Sequence, residues 1–265
     1  MIRNETDSSW ILVTHPDHAR LAGKFADAWG NEDFERPEPF TSVRHAVYHH
    51  DDGWLARDAS PSLTKLGKPE AFTRALVGTY SAFEEIDLPS YLHVRKEATA
   101  VVAAQDIYAG ILTSMHTYNL LTEQADASTI RPEHRPAYTA FLAEQLAWQQ
   151  EAAGRVGASA EALRRGFEFL QCCDNLSLIA CSGYDQPRDL RHTHPDKHGR
   201  RHAINCRPAG PGAYALSPWP LSVSEVKLPL RHREIPKTAA LDAGAFAKAF
   251  ADAPVIVSDI VLTAA

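Results

Sequence analysis

The sequence predicts a mainly α protein: a helical bundle over residues 1–183 with a small antiparallel, β-rich region packed on it over 184–265. Three observations predict it. Apolar residues recur at three- and four-residue spacing through most of the first 183 positions. Capping residues and helix-ending glycines punctuate that stretch. After Gly183 prolines become frequent and short β-branched runs replace the helical pattern.

Residues 8–13, Ser-Ser-Trp-Ile-Leu-Val, read as a short strand. Thr14 caps the helix that follows, with Pro16 and Asp17 in its first turn and Gly30-Asn31 at its end. Its apolar stripe is Leu21, Ala22, Phe25 and Trp29; His18, three residues before Leu21, shares that face. A charged loop over 31–40 leads to a second helix, capped by Thr41, with Val43, Ala46, Val47 and His50 on one face. Gly53 closes it. Asp51 and Asp52 are left at its C-terminal end, where the helix dipole disfavours carboxylates unless a cation compensates.

Residues 55–72 read as a loop with turns at Ser60-Pro61 and Leu66-Gly67-Lys68-Pro69, and 73–88 as a helix. One long helix is expected over 91–121, where a stripe of Val101, Gln105, Tyr108 and Leu112 leads to His116. A polar loop over 122–132 precedes helices at 136–153 and 159–182, separated by Gly154 and Gly157. On the last helix Leu163, Phe167, Leu170, Asp174, Leu178 and Cys181 share a stripe, and Asp174 is its one charge. An isolated buried carboxylate is expensive, so it needs a metal, an arginine or a hydrogen bond such as one from His18. Beyond Gly183, residues 214–216, 225–230 and 255–263 read as strands and 242–251 as a helix.

Composition narrows the class of function. The net charge of −6 disfavours a general nucleic-acid surface. No run of about 18 apolar residues offers a membrane span, and the first ten residues lack a signal peptide's apolar core. Cys172, Cys173, Cys181 and Cys206 show no Cys-x-x-Cys spacing and read as reduced core thiols. These features are those of a cytoplasmic protein whose partner is a small molecule, with an oligomer permitted. The 13 histidines invite a search for metal sites.

Four predicted helices each present an inward polar residue: His18, the doublet His50-Asp51, His116 and Asp174. Imidazole and carboxylate donors together suit Fe, Mn, Zn or Co better than Ca. The polar run His192-x-His-x-x-x-His198 reads instead as a surface loop, His49 as an outer or solvent-facing group, and Trp54 as core rather than a stacking platform. The Asp17-His18-Ala19, His50-Asp51-Asp52-Gly53-Trp54, Ser114-Met115-His116 and Cys173-Asp174-Asn175-Leu176-Ser177-Leu178 motifs, with Pro218-Trp219-Pro220, resemble a bacterial family of unknown function, domain family 3891. The order of the donors is also similar to the HD superfamily of metal-dependent phosphohydrolases. That resemblance implies a helical core holding one or two divalent ions.

On this reading His18, His50, Asp51, His116 and Asp174 are the metal ligands. Asp51 could bridge two ions, and Asp52 could orient a metal-activated water or act as base. Arg57, Lys65, Lys68 and Arg188 are the cations available for a phosphorylated substrate. The expected activity is hydrolysis of a small phosphate ester or nucleotide. A di-iron oxygenase on the same scaffold, and a non-catalytic metal- or ligand-binding module, are the alternatives.

Overall fold

The structure is a computed structural model, and it describes the chain except residues 78–80, 83–86 and 240–241. The chain opens with a hairpin of β1 (Ile2–Glu5) and β2 (Ser9–Val13). Thr14 then starts α1 (His15–Ala28), its hydroxyl accepting the Asp17 N–H at 3.1 Å. α2 (Phe40–His49) begins after Pro39 with no side-chain cap, so Thr41 does not have the role its sequence position suggests. A 3-10 turn at Asp52–Trp54 and the short α3 (Leu55–Ala59) follow.

The helix expected over 73–88 falls partly outside the described residues. In the described part, β3 (Phe72–Thr73) leads into a 3-10 turn at Arg74–Leu76, and β4 (Ser81–Ala82) lies further on. The single long helix expected over 91–121 is two helices, α4 (Leu88–Gln105) and α5 (Ile107–Thr122). Asp106 separates them: its carboxylate accepts the Ala109 N–H at 3.0 Å and caps α5. Gly110 lets the pair close up, because a Cβ there would lie 2.5 Å from Ala103 Cβ.

β5 (Ala125–Asp126) pairs in parallel with β4. α6 (Arg135–Val156) ends on Gly157 and α7 (Ala160–Ser182) on Gly183, both left-handed, and Ser159 caps α7 by accepting the Ala162 N–H. The remaining elements are β6 (Arg188–Pro195), β7 (Arg201–Gly210), β8 (Ala213–Ser217), β9 (Glu225–Pro236), α8 (Ala243–Asp252) and β10 (Ile256–Ala264).

The expectation of a mainly α, HD-like bundle with a small antiparallel appendage is overturned. The chain folds as α+β, around an eight-stranded sheet in the order β3-β1-β2-β9-β10-β8-β7-β6. The sheet is mixed: β1–β3 and β10–β8 are parallel, and the other neighbouring pairs are antiparallel. It also draws strands from both ends of the chain, since Leu12 of β2 pairs with Arg233 of β9.

The polar composition of β1 and β6 explains the error. Neither Ile-Arg-Asn-Glu nor Arg-Asp-Leu-Arg-His-Thr-His-Pro carries the apolar alternation that marks a strand buried on one face. The histidine run thus lies on the β6–β7 hairpin rather than in a surface loop, and His194 is buried. α7 packs against β6 and β1, and α1 packs against β9, so helices and sheet share one core.

Candidate metal centre

α1, α2, α5 and α7 pack on one another and carry their polar residues to one point. His18, His50, Asp51, His116 and Asp174 are each at most 5% exposed. The helical stripes account for this: each residue follows the buried apolar face of its helix inward.

Four atoms form the centre. His18 Nε2 lies 3.1 Å from Asp51 Oδ2 and 3.6 Å from Asp174 Oδ1. His50 Nε2 lies 3.8 Å from that Asp51 oxygen and 3.5 Å from that Asp174 oxygen. Donors held about 2.1 Å from a first-row ion stand roughly 3.0 Å apart in an octahedral arrangement and roughly 3.4 Å apart in a tetrahedral one. The four separations, 3.1–3.8 Å, lie slightly above those values, and His18, His50 and Asp174 form a trio whose ligand atoms all lie within 4.8 Å of one another, so a small inward shift would fit them to a divalent ion.

The surrounding hydrogen bonds set the imidazole tautomers. Ser177 donates its one proton to the Asp174 carbonyl at 2.8 Å, so its Oγ accepts from His18 Nδ1 at 2.6 Å. His50 Nδ1 donates to the Val47 carbonyl at 2.9 Å. Both Nε2 lone pairs therefore face the carboxylates. His50 Nε2 is fully buried and has no hydrogen-bond partner; its 3.5 Å approach to Asp174 is an ionic contact, longer than an ordinary hydrogen bond. Four acceptors turned on one point require a cation or added protons.

The charges respond to this crowding. Burial would raise the Asp51 carboxyl, but Arg95, His50 and His18 outweigh it and hold it well below the usual carboxylate range. Burial likewise opposes ionisation of Asp174, yet His50, His116 and His18 bring it to about 2. For His50, burial favours the neutral ring, and Asp51 and Asp174 draw its pKa up against that.

His116 differs from the other two. The Gln171 side-chain amide donates to its Nδ1 at 2.7 Å, and Gln171 Oε1 accepts from Gln124 at 2.9 Å. In that tautomer Nε2 carries the proton. Burial pushes the His116 pKa down to about 3, so the ring stays neutral at ordinary pH. His116 still lies close enough to His50 and Asp51 to form a second donor trio with them.

Arg95 is the residue that sequence reasoning missed. Its guanidinium donates to Asp51 Oδ1 at 2.7 Å and to the Tyr91 hydroxyl at 3.1 Å, and it is buried. A signal existed, because Arg95 stands on the stripe Leu88, Leu92, Arg95, Ala98, Thr99 and Val102. Gly53 makes the contact possible. A Cβ there would sit 2.6 Å from the Val94 carbonyl oxygen, so only glycine lets the turn after the doublet press against α4. Its backbone is not left-handed, so close approach rather than a tight turn requires it. His15 was missed as well; it stacks on Trp54 at 4.3 Å and its Nδ1 is 3.0 Å from Asp58.

The other expected site residues are not among the clustered donors. Asp52 pairs with His49 at 2.6 Å, and the His49 ring lies beside that of His45. Arg57 lies over the Trp54 ring and 3.8 Å from Glu70. Lys65 and Lys68 are exposed on a turn closed by the Thr64 N–H donating to the Lys68 carbonyl. Arg188 lies over Tyr184, its buried Nε without a partner. An open groove of about 520 Å³, lined by residues including Trp29, Phe34, Arg36 and Lys197, shares none of the donors. Among the described residues no helix is long and apolar enough to cross a membrane.

Fold and site together define an α+β protein with a buried histidine–aspartate cluster where its helices meet. The chain belongs to the family described as "Protein of unknown function (DUF3891)", whose model matches residues 1–237. No curated protein and no solved structure gives a match.

Proposed function

We propose that this protein is a hydrolase whose buried centre holds one divalent transition-metal ion, Mn, Fe, Zn or Co, and cleaves a small phosphorylated substrate with water. The observation that carries this reading is the convergence of two imidazole lone pairs and two carboxylate oxygens, with His50 Nε2 otherwise unsatisfied. The ion, when bound, polarises the substrate's phosphoryl group and lowers the pKa of a coordinated water.

The chain's own residues hold that arrangement. Ser177 and the Val47 carbonyl fix the rings of His18 and His50, as the outer partners of ligating histidines do. Arg95 occupies Asp51 Oδ1 and leaves Oδ2 for the centre. His116 directs a neutral N–H rather than a lone pair, which suits it to hold a substrate or water oxygen instead of ligating. Asp52 is engaged by His49, so nothing favours it as the base. A di-iron oxygenase would use Asp51 as a bridge, and the Arg95 contact supports one ion over two.

The test is elemental analysis of protein purified without a His tag, followed by a phosphate-ester screen with each reconstituted metal. About one equivalent of metal, lost in Asp174→Asn, together with metal-dependent phosphate release, is expected. Absence of metal after reconstitution would end the proposal. Metal binding without phosphate release would favour a structural or ligand-binding centre.

A further inference from the structure

We infer that Arg188 and Arg191 of β6 form an oxyanion subsite beside the metal centre that takes a phosphate group of the substrate. The inference deepens the proposed function and rests on it for the reaction, though not for the anion.

Three observations place the subsite. First, both arginines are only partly exposed, and among the described residues neither guanidinium has a carboxylate partner or an accepted hydrogen bond. By contrast, the buried Arg95 is paired with Asp51, and the partly exposed Arg57 with Glu70. An arginine held out of water without a counter-charge is costly, and a bound anion removes the cost.

Second, the position is tied to the centre. The Arg191 N–H donates to the side-chain oxygen of Asn175 at 3.3 Å, and Asn175 follows Asp174 on α7. α7 packs against β6, so Asp174 lies on the helix that this strand covers. Burial lowers the pKa of Arg191, while the Asp174 carboxylate raises it and Arg188 lowers it further. The Arg191 guanidinium therefore lies within electrostatic reach of both the Asp174 carboxylate and the Arg188 guanidinium.

Third, β6 is deformed at this point. Its pairing with β7 shifts between Asp189 and Thr193, and His192 adopts a left-handed φ of 62°. A non-glycine residue in that region is strained, and a bulge re-aims the side chains around it. The deformation breaks the alternation that would otherwise turn Arg188 and Arg191 to opposite faces of the strand.

Paired guanidinium groups match the geometry and charge of a phosphate dianion better than those of a monocarboxylate. The subsite would hold the substrate by a phosphate while the centre acts on it.

Calorimetric titration with inorganic phosphate at low salt, on both EDTA-stripped and Mn-loaded protein, tests this. Wild type should bind phosphate in both states, more tightly with metal. Arg191→Met and Arg188→Met should each weaken binding at least about 10-fold in both states, with metal content unchanged. Arg191→Lys should lose part of the affinity, because it keeps the charge but not the fork. Arg164→Met, at a surface pair with Glu161 and Glu168, should change nothing. Melting curves establish that each variant is folded. Unchanged phosphate affinity in Arg191→Met and Arg188→Met, or no binding by wild type in either state, overturns the subsite. Acetate binding as tightly as phosphate overturns its assignment to phosphate. Because the stripped protein is tested separately, failure of the metal centre and failure of the subsite give different results.

Discussion

Replacing His50 with leucine removes one of the two lone pairs at the centre while keeping a buried side chain of similar size. Volume-conserving core changes usually cost less than about 1.5 kcal/mol. The lost Nδ1–H to Val47 contact adds about 1 kcal/mol. Arg95 continues to compensate Asp51 at 2.7 Å, so the stripped variant should fold. The effect of metal is the discriminating quantity. An ion present at 100 times its Kd stabilises wild type by about 2.7 kcal/mol. For a chain of this size that corresponds to roughly 5–11 °C in Tm.

Losing a ligand should weaken binding by more than the roughly 10–100-fold that loss of an outer partner costs. At the same metal concentration the variant's gain then falls to about 0.4 kcal/mol or less, roughly 1–2 °C. The assay is thermal unfolding of EDTA-treated wild type and His50→Leu, each with and without Mn, Fe, Zn or Co, with circular dichroism confirming helix content. An equal metal shift in both proteins would refute the assignment of His50 Nε2. So would a stripped variant destabilised by the roughly 3–5 kcal/mol of a broken buried ion pair, since that result means a charged His50, and not a metal, holds the carboxylates.

Arg95→Met should destabilise the stripped protein by about 3–5 kcal/mol in urea unfolding, because it leaves Asp51 buried without its partner; added metal should recover part of that loss. Gly53→Ala should cost about 1–3 kcal/mol and lower metal content, since its Cβ would meet the Val94 carbonyl oxygen at 2.6 Å and the Ala98 nitrogen at 2.7 Å; elemental analysis and urea unfolding check both. Burial lowers the His194 pKa to about 4. Between that value and about 6.5 the unfolded chain binds the extra proton, so this contribution to stability is complete above about pH 6.5 and is lost as pH falls toward 4. At pH 5 the loss is roughly 2 kcal/mol, and His194→Phe should lose that much less than wild type between pH 7 and pH 5.

The sequence by itself determined the helical donors. Thr14 and Ser159 start α1 and α7 where their side chains cap backbone N–H groups, and Gly183 ends α7. The 3.6-residue period then turns His18, His50, His116 and Asp174 inward, because helix periodicity is a local property. Locality also sets its limit. The sheet depends on pairings such as Leu12 with Arg233, far apart in the chain, and polar strands such as β1 and β6 carry no local mark of them. The break at Asp106 was readable as a cap but was hidden inside an uninterrupted apolar pattern. Only the tertiary structure decided which atoms meet: that Ser177 and Val47 turn two lone pairs toward the carboxylates while Gln171 leaves His116 a proton. Only the tertiary structure brought Arg95 to Asp51, through a backbone contact that Gly53 alone permits. Those choices rest on distances of a few tenths of an ångström between separate elements, which packing fixes and periodicity does not.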